Sequence, residues 1–259
     1  MFNIIKADLY KFFKSKTFYV SLIVAFLFAT LFVVATYFGL QQMGQPGGPP
    51  VGAVPTSTRE LLFRAIDSNI VIMLIAVMTS IFISAEYSTG IIKDTVSSGK
   101  SRTKIFLSKL IVTAIGATLI LIFNIVYQTL FGLLFLEYGT VFNLSEFWLI
   151  AKTVLSAMVI IIAFSTLFVF IATAFKTLGT SLAVNIGLLM FGGLLFYLVS
   201  LIGDFFKNIT DYWLANNLSQ VVTNSMLNTY EFKPLIIAAS YLIISTVAGI
   251  FVFKKQDIK

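Results

Sequence analysis

The residues able to do chemistry in this chain are few and fall in separate places. Asn124 and Gln128 stand four apart within an apolar run, and Asn185 is alone in another. A spacing of four puts the first two on one helix face. Amides so placed can hydrogen-bond between helices, or they can contact a substrate moving past them. A second group, Glu86, Tyr87, Gly90, Lys93 and Asp94, opens a charged stretch that runs to Lys109 and holds Ile91, Ile92 and Val96 between two glycines. Such a stretch offers a soluble partner something to grip. Ser98-Gly99-Lys100-Ser101 has the tail of a phosphate-binding loop, but that motif needs a glycine five positions before Gly99, where Asp94 stands. The chain has no histidine and no cysteine, which removes disulfides, Cys/His metal sites and histidine acid–base catalysis. With no paired carboxylates or activated nucleophile at membrane depth, no catalytic residue, metal or cofactor is expected in the chain itself.

The elements that must position these residues follow from composition. Of 259 residues, 58% are apolar and 11% charged, with a net charge of +7, a balance outside that of soluble domains. Long windows carry no charge at all: 42 residues between Lys16 and Arg59, 18 between Asp67 and Glu86, and 27 between Lys109 and Glu137. Three more follow, with 23 residues from Lys152 to Lys176, 27 from there to Asp204, and 20 from Lys233 to Lys254. A helix crossing the hydrocarbon needs about 20 apolar residues, so each window fits one span. The expected fold is an all-α polytopic membrane protein forming a single transmembrane domain, 1–259. Its six transmembrane helices are expected near 18–40, 69–85, 107–135, 147–174, 178–202 and 234–253.

Six crossings leave both termini on one side. That side would hold Lys6, Lys11, Lys14 and Lys16, the basic residues from Lys93 to Lys109, Lys176, and Lys254, Lys255 and Lys259. Arg59, Arg64, Lys152, Lys207 and Lys233 are left on the other. Lysine and arginine bias orients membrane chains, so both termini are expected to be cytoplasmic, with the chain in a bacterial plasma membrane. The basic residues sit at span ends, where they meet anionic lipid, and no nucleic acid partner is implied.

Residues 1–17 set Phe2, Ile5, Leu9, Phe12 and Phe13 at helical spacing among lysines, which predicts an amphipathic interfacial helix. Gly44 to Pro55, rich in proline and glycine, predicts an extended outer loop. The outer segment 203–233 mixes Phe205, Phe206, Tyr212 and Trp213 with Asn216, Asn217 and Gln220, and predicts one or two short helices at the membrane face. Asn143, Asn208 and Asn217 each open an Asn-x-Ser/Thr triplet, a pattern common by chance. Gly187, Gly192 and Gly193 are expected to permit close helix approach.

Carriers driven by ion gradients bury ionisable groups near the midplane. None is expected inside the six spans, so uphill movement would draw its energy from another chain. An ATP-independent channel or carrier, or a membrane protein that sequesters a peptide without turnover as an immunity or assembly factor, are the alternatives the composition leaves open.

Along its whole length the chain resembles the permease subunit of an ABC transporter of the type-2 exporter family. The resemblance is carried by the basic amphipathic start, an acid ending span two followed by an aromatic, a glycine and a base (Glu86, Tyr87, Gly90, Lys93), and the Ser101–Lys109 run opening span three. The long last outer segment and short basic tail complete it; Ile91 stands where similar members often carry threonine. The resemblance implies cytosolic ATPase subunits that bind ATP and Mg, a second permease copy, identical or not, and a hydrophobic or amphipathic cargo such as a peptide, lipopeptide or antibiotic. It further implies that Glu86, Tyr87, Gly90, Lys93 and Asp94, in a cytosolic coupling loop over 86–106, pass the ATPase motion to the spans.

Overall fold

The structure, a computed structural model, describes residues 1–256 except 46, 51, 204, 205, 207, 228 and 230. Asp204, Phe205, Lys207 and Lys259, used above in reading charge and the outer segment, lie outside the described residues. Ten α-helices and no strand occur among the described residues. They are α1 (Phe2–Lys14), α2 (Lys16–Gln42), α3 (Thr58–Ile66), α4 (Asn69–Ser88), α5 (Ile91–Ser97), α6 (Arg102–Gly132), α7 (Leu144–Phe175), α8 (Leu178–Ser200), α9 (Leu214–Met226) and α10 (Lys233–Lys255). Six are long and apolar enough to cross a membrane: α2, α3 with α4, α6, α7, α8 and α10. A bilayer core offers no water to satisfy an open backbone, and an apolar helix satisfies its own.

The chain is therefore a multi-pass membrane protein whose spans agree with the expected six. Span two differs in detail. It starts at Thr58 rather than 69, because the α3 and α4 helices run on from each other with a break at Asp67 and Ser68. Ser57 caps α3 by accepting from the Glu60 amide at 3.3 Å, and the Glu60 carboxylate accepts from the Thr56 amide at 2.8 Å, a capping pattern that starts the helix.

Helix α7 is the hub. It packs against α4, α6, α8, α9 and α10, and its Ile160, Ile161, Phe164 and Phe168 are fully buried. Lipid is as apolar as these side chains, so transfer out of water cannot hold helices together here; close packing and interhelical hydrogen bonds do. Hydroxyl pairs cross the interfaces at Thr153–Ser225 (2.7 Å) and Thr166–Ser245 (2.8 Å). Helix α8 is peripheral, with only Ser181, Asn185 and Gly192 buried. Ser181 meets Ser84 at 3.0 Å and Asn185 donates to Ser80 Oγ at 2.8 Å, so two polar rungs four residues apart on each helix dock α8 on α4. Gly192 admits the Trp213 ring, whereas Gly187 has open space beside it.

The amphipathic helix forms as α1. Its buried residues are Ile4, Asp8 and Phe12, while Phe2 is 79% exposed. The buried stripe steps by four and turns toward α6, where Gly116 leaves the Phe12 ring its place. The outer segment supplies a short 3-10 helix, Ile209–Tyr212, and α9, whose Leu214, Leu218, Val221 and Val222 pack into the bundle. Asn217 is fully buried and donates to the carbonyls of Asp211 and Trp213, so its triplet is closed to glycosylation in this fold. Asn143 caps α7 by accepting from the Glu146 amide at 2.9 Å.

Candidate functional site

Helix α1, the start of α6 and the ends of α4, α7 and α10 gather at one end of the bundle, called here the terminal end. Its centre is ionic. Lys109, in the second turn of α6, reaches Asp8 Oδ1 at 2.7 Å and Glu86 Oε2 at 2.5 Å. The first contact is an aligned hydrogen bond; the second is a close ion pair without that alignment. Ser108 Oγ donates to the other Asp8 oxygen at 2.7 Å. Lys11 stands 3.8 Å from Glu86 Oε1 and 4.0 Å from Asp8 Oδ1, still 42% exposed. Two carboxylates and two ammonium groups thus balance, and α1, α4 and α6 each contribute.

This overturns two expectations. No ionisable group was expected inside the six spans, although the expected bounds 107–135 and 147–174 already enclose Lys109 and Lys152; Lys109 is buried within α6, and Lys152 lies exposed near the start of α7. Glu86 was expected to open an accessible loop, yet α4 continues through Ser88 and Glu86 is only 4% exposed. The charge-free window measured distance between charges along the chain. It could not register that Lys109 would find two carboxylates from other helices and so become cheap to bury.

The rest of the 86–106 stretch is more ordered than a loop. Gly90 takes φ 73°, the left-handed region where a side chain costs roughly 1–2 kcal/mol, and turns the chain sharply into α5. Gly99, at φ 77°, turns it out again toward Arg102. Between α4, α5 and the α7–α8 turn lies a cleft of about 610 Å³, lined by Tyr87, Gly90, Ile92, Lys93, Lys176 and Thr177 among others. Tyr87, Gly90 and Lys93 therefore come together as one surface. Asp94 is exposed on α5 outside the cleft, and Glu86 points into the ionic cluster instead. Lys176 adopts φ 62°, uncommon for a residue with a side chain, at the cleft's far wall.

A polar relay ties this cleft to the chain's end. Tyr87 OH donates to Gln256 Oε1 at 3.0 Å, and Gln256 Nε2 donates to the Thr173 carbonyl at 2.8 Å. Arg102 donates to the carbonyls of Lys254 and Gln256, both at 2.7 Å, covering acceptors that the end of α10 leaves unpaired. Asp8, Lys11, Arg102, Lys109, Lys176 and Gln256 escaped sequence reasoning as site residues. One signal was available: Asp8 interrupts the stripe from Ile4 to Phe12, and an acid at that register needs a cation facing it.

The amides lie toward the opposite end. Asn124 Nδ2 donates to the Ala65 carbonyl at 2.9 Å, an acceptor at the end of α3, and Gln128 Nε2 donates to Asn124 Oδ1 at 3.1 Å. Both residues also line a cavity of about 430 Å³ with Arg64, Asp67, Phe28 and Phe32 among its other walls. Asn185 touches neither cavity and serves the α4–α8 interface. No group of acids able to hold a metal occurs among the described residues.

A bundle of six crossings, with an ionic cluster and a cleft at one end and an amide-lined cavity toward the other, defines an all-helical polytopic membrane protein. The chain belongs to the family described as protein of unknown function DUF2705, whose pattern matches residues 52–259. No curated protein matches the sequence.

Proposed function

We propose that this chain is the membrane permease of an ATP-driven exporter of the type-2 ABC class, worked by separate cytosolic ATPase subunits that hold ATP and Mg. The observation that carries the reading is the terminal-end cleft. Tyr87, Gly90 and Lys93 face one concave surface beside the short helix α5, and the helix that bears Tyr87 also bears Glu86 in the ionic cluster. A partner that presses on α5 differently in its ATP-bound and ATP-free states would thereby load α1, α4 and α6 together. Only such differential contact can shift the spans between two arrangements.

The basic terminal end is then cytoplasmic, in keeping with the lysine and arginine bias. A second permease copy completes the pathway, and the cargo is hydrophobic or amphipathic. The buried acids favour this over a self-driven ion carrier, because they sit at the end of the bundle rather than at its midplane.

The test is co-purification with candidate cytosolic ATPase subunits, such as any encoded beside this chain, and measurement of ATP hydrolysis. Lys93→Glu and Gly90→Val permeases, present at normal abundance, should lose at least tenfold of the permease-dependent stimulation. Full stimulation by both variants, or solute accumulation by liposomes holding this chain alone, would refute the assignment.

A further inference from the structure

Span two is broken at Asp67 and Ser68, and the cavity of about 430 Å³ lies against the break. A broken helix brings polar groups into a span, where many transporters hold a ligand. Two residues of the cavity wall are charged: Arg64, in the last turn of α3, and Asp67, three positions further on. Among the described residues neither is in an ion pair, since Arg59 takes Glu146 and Lys233 takes Asp211. Each keeps capacity for a ligand. The Arg64 guanidinium gives one hydrogen bond, to the Gly52 carbonyl at 3.1 Å, out of five N–H donors. The Asp67 carboxylate accepts from Ser219 through Oδ2 at 2.7 Å, which leaves Oδ1 without a donor from the described residues. Arg64 is exposed and Asp67 half-buried, so the cation stands at the mouth and the anion deeper.

The rest of the wall is mixed. Ser68 and Asn69 bring a hydroxyl and an amide, and Ser68 makes no side-chain cap to α4. Phe28 and Phe32 of α2 and Val222 of α9 supply an apolar side. The volume falls within the roughly 300–1,000 Å³ of small-ligand sites.

We propose that this cavity binds a short apolar peptide with both ends free. The carboxylate pairs with Arg64 and the ammonium with Asp67, the peptide groups hydrogen-bond to Ser68 and Asn69, and the side chains rest on Phe28, Phe32 and Val222. One cation and one anion in the wall match a ligand that carries one of each, and they disfavour a ligand with a single net charge. The hydroxyl and amide beside the charges suit a peptide backbone, whereas a hydrocarbon body would leave them without partners. To call the peptide cargo rests on the exporter reading; that it binds does not.

The test is isothermal titration calorimetry on the full-length protein in detergent, with trileucine, its C-terminal amide and its N-acetyl form as probes. Wild type should bind trileucine about tenfold more tightly than either blocked form, the scale of one charge-assisted hydrogen bond. Arg64→Gln should erase the preference over the amide and keep that over the N-acetyl form. Asp67→Asn, which can still accept from Ser219, should do the reverse. The blocked peptides probe both charges on wild type itself, so the result does not depend on either variant folding. No binding of trileucine at millimolar concentration, equal binding of the three forms by wild type, or both preferences unchanged in a folded variant would overturn the proposal. Binding with these preferences upholds the site even where trileucine leaves ATP hydrolysis unchanged, a result that bears on the exporter reading alone.

Discussion

Lys109 of α6 and Asp8 of α1 meet at 2.7 Å, across 101 positions of sequence, and both are buried. The pair fastens a helix that would otherwise rest on the membrane surface to the first turns of a spanning one. Glu86 shares the same ammonium, so α4 is drawn into the contact.

Removing the shared cation should be the most damaging single change at the terminal end. Lys109→Met leaves two buried carboxylates with Lys11 alone, and loss of one partner from a buried ion pair costs roughly 3–5 kcal/mol. Thermal unfolding in detergent should show a marked fall in midpoint. Adding Asp8→Asn and Glu86→Gln to that variant should recover most of it; no recovery would mean that Lys109 acts through packing rather than charge.

Gly116 should tolerate no larger residue. A Cβ there would strike the Phe12 ring, which already packs edge-on against Phe82 at 5.2 Å between centroids. Gly116→Val should cost about 1–3 kcal/mol as overpacking and loosen α1. Limited proteolysis between α1 and α2 reads this directly, and a cleavage rate equal to wild type would contradict the packing described.

Arg102 should matter to α10 rather than to its own helix. Its guanidinium donates to the carbonyls of Lys254 and Gln256 at the exposed end of α10, where a hydrogen bond is worth about 0.5–1.5 kcal/mol net against water. Arg102→Gln should speed amide hydrogen exchange in the last turn of α10 by about an order of magnitude and leave the middle of α6 unchanged.

The α4–α8 rungs should be weak and additive to other contacts. A double-mutant cycle on Asn185→Leu and Ser80→Ala should return a coupling near 0.6 kcal/mol and below about 1.7 kcal/mol, the range for hydrogen bonds between membrane helices. A coupling near zero would assign the docking of α8 to Gly192 and Trp213 instead.

The six spans were legible because each is a local property: a run of some 20 apolar residues satisfies its backbone internally whatever surrounds it. Helix α1 was legible for a related reason, since an amphipathic period announces a face before the partner is known. The outer segment read only as short helices at the membrane face, from its mix of aromatics and amides, whereas α9 packs Leu214, Leu218, Val221 and Val222 into the bundle. The amide pair Asn124 and Gln128 was legible as a shared face, but its acceptor on Ala65 was not. What only the tertiary structure decided is which charges are buried. Glu86 reads as the start of a loop and Lys109 as a topology signal because sequence spacing counts neighbours along one chain. Burial of an ion depends on the Coulomb energy it recovers from partners on other helices, and Asp8, Glu86 and Lys109 meet only once α1, α4 and α6 have packed.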